Sequence, residues 1–189
     1  MAAEDPRAVE VLAFWFRGPG SDPRWFGKDP SFDAAIRGRF LTLHERAASG
    51  GLASWREAPC DCLALILLLD QFPRNMFRDT AQAFATDPLA LDAAKHAVAR
   101  GHDAGMRPVE RLFFYLPFEH AESLREQERA CELIAPLAAF EETGDVYRYA
   151  LAHRDVITRF GRFPHRNAIL GRASTPAEID FLKEPGSSF

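Results

Sequence analysis

Three stretches of the sequence combine arginine, histidine, asparagine and acidic residues, the side chains that bind anions or transfer protons. They cover residues 69–80, 115–122 and 159–172. Arginine suits carboxylate and phosphate because its planar guanidinium donates two parallel hydrogen bonds. We therefore predict that the first and third stretches bind a small anionic ligand. The candidate ligand-binding residues are Asp70, Arg74, Asn75, Arg78, Arg162, Arg166, Asn167 and Arg172.

The first and third stretches resemble each other. Phe72-Pro73-Arg74-Asn75 in the first corresponds to Phe163-Pro164-His165-Arg166-Asn167 in the third. The likeness is either coincidence or a pair of helix junctions that line one groove, where two Arg-Asn units face the same ligand.

The charges of two segments are complementary, which leaves a second explanation for the arginines. Residues 148–172 contain six arginines and one acid, whereas residues 110–132 contain six acids and three arginines. The two segments either neutralise each other through ion pairs, or leave some arginines to hold an anion in a cleft.

Histidine and glutamate supply the candidates for acid–base chemistry. His120 follows Glu119 directly, and His165 lies in the third stretch. We name His120, Glu119 and His165 as the catalytic candidates if a reaction occurs. The sequence lacks H-E-x-x-H, paired E-x-x-H, C-x-x-C and G-x-S-x-G motifs, so we predict no metal site, no cofactor and no serine nucleophile elbow.

The elements that must position these residues are predicted to be helices. Four pairs, Asp5-Pro6, Asp29-Pro30, Asp87-Pro88 and Thr175-Pro176, each precede an apolar-periodic segment, as expected of an N-cap followed by proline at the first helical position. No segment shows the two-residue alternation of a strand. We predict an all-α fold of eight or nine helices in antiparallel pairs.

Prolines set the other predicted helix boundaries. The apolar run 63–69 predicts the most buried helix, which we expect to end at Pro73. A short helix over 109–116 is expected to end at Pro117, and a long helix over 119–140 to kink at Pro136.

Composition narrows the class of protein. The net charge of −4 argues against nucleic-acid binding, and the longest apolar run is far shorter than a membrane span. The N-terminal residues lack the pattern of a secretory signal, and three cysteines indicate a reducing compartment, so we predict a cytoplasmic protein. We expect no membrane partner.

The polar stretches resemble a bacterial domain-of-unknown-function family, number nine hundred and twenty-four. The resemblance is carried by LDQFPRNMFRDTAQAFATDPLAL, RLFFYLPFEHAES and RFGRFPHRNAILGRASTPAEIDFL, and VLAFWF and RWFGKDPSFDAAIRGRF extend it over about the whole chain. It implies a tetratricopeptide-like helical array and no established activity. The sequence itself has no clean 34-residue repeat, so any solenoid is degenerate.

These observations lead to two hypotheses on function. The first is a single helical domain over 1–183, with a flexible tail over 184–189, that binds a small carboxylate or phosphate in an arginine-, asparagine- and histidine-lined groove. The alternative is a tetratricopeptide-like module that binds a protein or peptide, with the arginines in structural ion pairs. Whether a reaction is catalysed stays open. The aromatic segment 14–26 is either core or the surface of a homodimer, so the oligomeric state is open as well.

Overall fold

A computed structural model describes residues 5–18 and 22–188 of the chain. The first four residues of the predicted domain and Phe189 of the predicted tail lie outside this part. The described residues form helices and connecting turns without any strand, which confirms the all-α prediction. These ranges contain eight α-helices: α1 (Pro6–Trp15), α2 (Pro30–Ala48), α3 (Pro59–Met76), α4 (Asp87–Arg100), α5 (Pro108–Glu119), α6 (Leu124–Ile134), α7 (Val146–Phe160) and α8 (Pro176–Phe181). Short 3-10 helices cover Ala53–Arg56, Ala81–Phe84, Ala135–Ala139, Glu141–Thr143 and Pro164–Arg166.

Three of the four predicted helix starts have the expected caps. The side chains of Asp5, Asp29 and Thr175 accept hydrogen bonds from backbone N–H groups of the first turn, which have no partner within the helix. The fourth prediction is wrong by one residue. The N-cap of α4 is Thr86, and Asp87 lies in the first helical turn. The Asp87 carboxylate is bound by arginine side chains instead of capping the helix.

Pro73 does not end α3 as predicted, because the hydrogen bond that it removes is replaced. Proline has no N–H to donate to the carbonyl of Leu69. The hydroxyl of Thr86 donates to that carbonyl at 2.6 Å, so α3 continues to Met76 with Pro73 in its last turn. Pro117 likewise lies inside α5, which extends to Glu119.

The long helix predicted over 119–140 is two elements. α5 ends at Glu119, α6 begins at Leu124, and a 3-10 helix replaces the α-helix from Ala135, where Pro136 follows. Gln127 stabilises the break, since its Nε2 donates to the carbonyls of Glu119 (2.5 Å) and Ala121 (2.8 Å). These carbonyls at the end of α5 would otherwise need other donors.

α3 lies at the centre of the fold, as its apolar sequence predicts. It packs against α1, α2, α4 and α5, and nearly every residue of it is buried. Much of the aromatic N-terminal segment lies in the core beside it: Trp15 stacks on Trp25, and the ring of Trp25 meets Phe113 edge-on at 5.0 Å. Phe26, in contrast, is 66% exposed. Phe163 and Phe181 belong to a second, smaller core with residues of α7.

The C-terminal residues 184–188 follow α8 in turns. Ser187 is buried, and its hydroxyl donates to the carbonyl of Leu182 at 3.2 Å. The flexibility of this segment stays a prediction. Within the described ranges, no helix combines the length and the apolar character that crossing a bilayer requires.

Candidate functional site

Five of the polar residues discussed above meet in one network, which we call the central polar cluster: Asp70, Arg74, Asp87, His120 and Arg166. Asp70 and Arg74 lie on one face of α3, since they are four residues apart. Asp87 begins α4, His120 follows the end of α5, and Arg166 ends the 3-10 helix Pro164–Arg166. The cluster therefore joins four segments that are distant in sequence.

Asp70 and His120 form the innermost contact of the cluster. Asp70 is fully buried, and its Oδ1 lies 2.7 Å from His120 Nδ1. The same oxygen lies 3.2 Å from Arg74 Nη1, while Oδ2 accepts a hydrogen bond from Gln71 Nε2. Both carboxylate oxygens are thus partnered, as a buried carboxylate requires.

The environment determines the protonation of this pair. Burial raises the pKa of the Asp70 carboxyl, but the charge of Arg74 and the hydrogen bonds from His120 and Gln71 lower it by more, so the net shift is downward. Burial lowers the pKa of His120, and the nearby charge of Arg74 lowers it further. We conclude that a carboxylate faces a neutral imidazole, which must carry its proton on Nδ1. Nε2 then has a lone pair.

Asp87 joins the two arginines of the cluster. Arg74 donates from Nη1 and Nη2 to the two oxygens of Asp87, at 2.9 and 3.0 Å. Arg166 Nη1 lies 3.4 Å from Asp87 Oδ2 and donates to the carbonyl of His120 at 3.1 Å. Arg74 and Arg166 of the two similar sequence motifs are therefore brought together on one carboxylate.

Arg166 has unused donor capacity although it is 6% exposed. Its guanidinium carbon lies over the rings of Phe84 and Phe163, at 4.6 and 4.4 Å from the centroids. Both of its hydrogen bonds leave from Nη1, and within residues 5–18 and 22–188 the buried Nε has no acceptor. Burial lowers the pKa of Arg166 to about 10, so the group stays charged at neutral pH.

Glu119 and His153 form a second buried pair beside the cluster. Glu119 Oε1 lies 3.1 Å from His153 Nδ1, and that nitrogen also lies 2.8 Å from the carbonyl of Tyr149. Burial raises the pKa of Glu119 to about 8, with the charge of Asp70 as a further cause, and burial lowers the pKa of His153 to about 3. The distance between the two groups would suit an ion pair. Because burial disfavours the charged form of each group, however, both are neutral at pH 7.

His165, the third catalytic candidate, lies near this region. Its ring centroid is 5.6 Å from that of Phe163, the ring on which Arg166 stacks. Burial lowers the pKa of His165 to about 4, and the charge of Arg166 acts in the same direction. His165 is thus a neutral imidazole at pH 7.

Two of the predicted ligand-binding residues lie outside the central polar cluster and bind a carboxylate of α2. Arg78 donates to both oxygens of Asp33, from Nε at 2.5 Å and from Nη2 at 3.0 Å. Asn75 Nδ2 donates to the same carboxylate at 2.8 Å. These side chains attach the end of α3 to α2.

The remaining three predicted residues hold the C-terminal segment in place. Arg162 makes a two-pronged ion pair with Glu178 of α8, at 2.6 and 2.8 Å. Arg172 makes another with Glu122, and its Nε donates to Asn167 Oδ1. Arg172–Glu122 is a direct ion pair between the basic and acidic segments of the sequence. Other arginines of the basic segment pair locally, as Arg154 does with Asp155.

Two open depressions on the surface lie away from the central polar cluster. One, of about 530 Å³, is lined by Arg159, Phe160, Arg162, Thr175, Ala177 and Glu178. The other, of about 550 Å³, lies between α4 and α6. Neither is lined by a member of the cluster. In the described part of the chain, no three histidine, cysteine or acidic side chains are grouped as metal ligands.

Asp87 is the functional candidate that sequence reasoning missed. Its position before Pro88 is typical of a helix cap. The sequence therefore predicted a capping role for Asp87 and gave no indication that its carboxylate accepts hydrogen bonds from two arginines. Gln71, which contacts Asp70, belongs to the first polar stretch of the sequence, whereas Phe84, which lies against Arg166, carries no distinguishing sequence signal.

The fold and this cluster define an all-helical protein with a buried aspartate–histidine–arginine network. The chain belongs to the bacterial protein family of unknown function DUF924, whose model matches residues 11–186. It is similar to the solved protein of unknown function ATU0120 from Agrobacterium tumefaciens, with 48% identity and a TM-score of 0.87 over 94% of this chain and 97% of that one. No curated protein matches the chain. The family resemblance found in the sequence is thereby confirmed.

Proposed function

We propose that the protein binds a small molecule bearing a carboxylate or phosphate group, with the guanidinium of Arg166 as its main anchor. The observation that carries the proposal is the buried Nε of Arg166, which has no acceptor in the described part of the chain. A buried donor left unpaired costs about 1–3 kcal/mol. Two oxygens of an anion would accept from Nε and Nη2 together, the arrangement in which arginine binds anions most strongly.

The anion would reach Arg166 from the surface edge of the central polar cluster. The side chains of Arg74, Asp87 and His120 are 20%, 17% and 13% exposed, so the cluster is in contact with solvent there. Arg74 adds a second positive charge next to the ligand. The rings of Phe84 and Phe163 hold the guanidinium plane, which reduces the entropy lost on binding.

The other predicted ligand-binding residues have a supporting role in this proposal. Their side chains make ion pairs or hydrogen bonds that join segments of the fold. In this proposal the anion is bound by Arg166 and Arg74 instead. The supporting group consists of Asn75, Arg78, Arg162, Asn167 and Arg172.

A thermal-shift comparison with inorganic phosphate and succinate, each against sodium chloride of equal ionic strength, tests the proposal. A ligand at one hundred times its dissociation constant adds ~2.7 kcal/mol of stability, which raises the Tm of a chain of this size by roughly 5–10 °C. We expect this shift in the wild type and in Arg162→Gln, but not in Arg166→Gln. Arg166→Lys, which keeps the charge without the planar donors, should lose most of it.

Two results would contradict the proposal. One is a shift of equal size in Arg166→Gln, each protein being compared with its own unliganded Tm. The other is the absence of a shift with both anions, which would favour the alternative hypothesis of a tetratricopeptide-like module that binds a peptide or protein.

A further inference from the structure

The orientation of His120 gives the central polar cluster a group that can accept a proton. Asp70 Oδ1 holds Nδ1 at 2.7 Å, and a neutral imidazole that donates from Nδ1 presents its lone pair on Nε2. In the described part of the chain, His120 makes no other side-chain hydrogen bond. With 13% of its side chain exposed, the imidazole is open to water and to small molecules.

Asp70 is itself fixed, so the imidazole has a defined direction. Gln71 contacts one oxygen of the Asp70 carboxylate and Arg74 contacts the other, and all three residues lie in the last turns of α3. A base whose orienting carboxylate is held by a further set of hydrogen bonds loses little entropy when a reactant arrives. This is the arrangement of a base prepared for catalysis.

The proton acceptor lies next to the proposed anion site. Arg166 Nη1 donates to the backbone carbonyl of His120 at 3.1 Å, so the anchor and the base are joined through one residue. The proposed anchor therefore contacts the main chain of the residue whose side chain is the proton acceptor, and both residues belong to the central polar cluster.

We assign the attack to water because the hydroxyl and thiol groups of α3 and of the start of α4 are not available as nucleophiles. The hydroxyl of Thr86, the residue before Asp87, is committed to the carbonyl of Leu69 at 2.6 Å. The Cys62 thiol lies two turns back on α3, and burial raises its pKa to about 12, so it is not a thiolate at neutral pH.

We propose that the protein hydrolyses a small carboxylic ester that carries a separate anionic group, with His120 as the general base and Asp70 as its positioning residue. This inference rests on the proposed anion site. His120 Nε2 takes a proton from water while the water oxygen bonds to the acyl carbon. The bond between that carbon and the ester oxygen then breaks, and the imidazolium returns the proton to the leaving oxygen. The products are an acid and an alcohol, without any other reactant.

The test uses 4-acetoxybenzoate as the anionic ester and phenyl acetate as its neutral counterpart. We expect the wild type to hydrolyse 4-acetoxybenzoate above the rate in buffer and to prefer it to phenyl acetate. His120→Gln should lower kcat by about 10²–10⁴-fold, the usual contribution of a general base. Arg166→Gln should raise KM, and Arg56→Gln, in a surface ion pair with Asp92, should leave both constants unchanged.

Asp70→Asn separates a positioning role from a purely structural one. It should lower kcat and move the acidic limb of the pH profile, because the group that fixes the imidazole tautomer has lost its charge. The wild-type rate should also be slower in D₂O, a measurement that does not depend on whether a variant folds.

The outcomes distinguish this inference from the proposed function. Binding of phosphate at Arg166 without hydrolysis of 4-acetoxybenzoate would overturn the catalytic role and leave the anion site standing. Hydrolysis at an unchanged rate in folded His120→Gln, or a wild-type rate that is the same in D₂O, would also overturn it.

Discussion

Arg166 Nη1 lies 3.4 Å from Asp87 Oδ2, a contact that joins residues 79 positions apart in the sequence. Asp87 also accepts hydrogen bonds from both Nη groups of Arg74, so one carboxylate partners two guanidinium groups. Asp70 supplies the second negative charge of the cluster. The cluster is therefore balanced in charge before any ligand arrives, and Asp87 competes with an incoming anion for the arginines.

Removing the charge of Asp87 should strengthen anion binding while it weakens the fold. In Asp87→Asn the cluster gains a net positive charge, so we expect inorganic phosphate to bind more tightly in calorimetric titration. The lost charge-assisted hydrogen bonds should lower the free energy of unfolding by about 1–3 kcal/mol, as measured in urea. The control is Asp92→Asn, whose carboxylate pairs with Arg56 on the surface. Unchanged or weaker phosphate binding in Asp87→Asn would argue against an anion site here.

The continuation of α3 through Pro73 depends on the hydroxyl of Thr86. Thr86→Val keeps the shape but leaves the buried carbonyl of Leu69 without its donor, so we expect a loss of about 1–3 kcal/mol in the free energy of unfolding. Thr80→Val is the matched control, because its hydroxyl also donates to a carbonyl, that of Phe77, but at an exposed position. Equal losses in the two variants would show that Pro73 needs no compensation.

The buried pair of Glu119 and His153 should shape the pH dependence of stability. The pKa of Glu119 is raised from 4.5 to about 8, so across this interval the unfolded chain has lost a proton that the folded chain keeps, and rising pH favours unfolding. The pKa of His153 is lowered from 6.5 to about 3, which has the opposite effect over that range. The two effects cancel between pH 4.5 and 6.5, and above pH 6.5 the Glu119 effect stands alone.

We therefore expect the free energy of unfolding to fall between pH 6.5 and 8 by at most about 1.4 kcal/mol per pH unit, the slope of one proton. Glu119→Gln should abolish this slope, since the amide does not ionise, whereas Glu128→Gln at an exposed position should retain it. Urea denaturation at several pH values measures both. A slope that persists in Glu119→Gln would show that another group causes it.

Local signals in the sequence predicted the helices well and the interior of the site only in part. Asp29-Pro30 and Thr175-Pro176 mark helix starts because a cap depends on neighbours in sequence. The prediction that α3 ends at Pro73 was wrong, since the effect of this proline depends on Thr86, which lies outside α3. Compensation of this kind is a tertiary interaction, and no periodicity within α3 reports it.

The same limit applies to the arginines. Arg74 and Arg78 share one sequence stretch and one residue type, yet Arg74 joins the central polar cluster and Arg78 binds Asp33 of α2. The sequence shows which side chains can bind an anion. Only the fold decides which of them already has a carboxylate and which retains a free donor, as Arg166 does at Nε in the described part of the chain.

The most direct test of the anion site is to observe the Nε–H group of Arg166 itself. A ¹H–¹⁵N spectrum of the labelled protein resolves arginine Nε–H signals, and the Arg166 signal is assigned by its absence in Arg166→Gln. On titration with inorganic phosphate we predict that this signal moves in a saturable manner, while those of Arg162 and Arg172 stay in place. A titration in which the Arg166 signal does not move, or in which only other arginines respond, would contradict the proposed anion site.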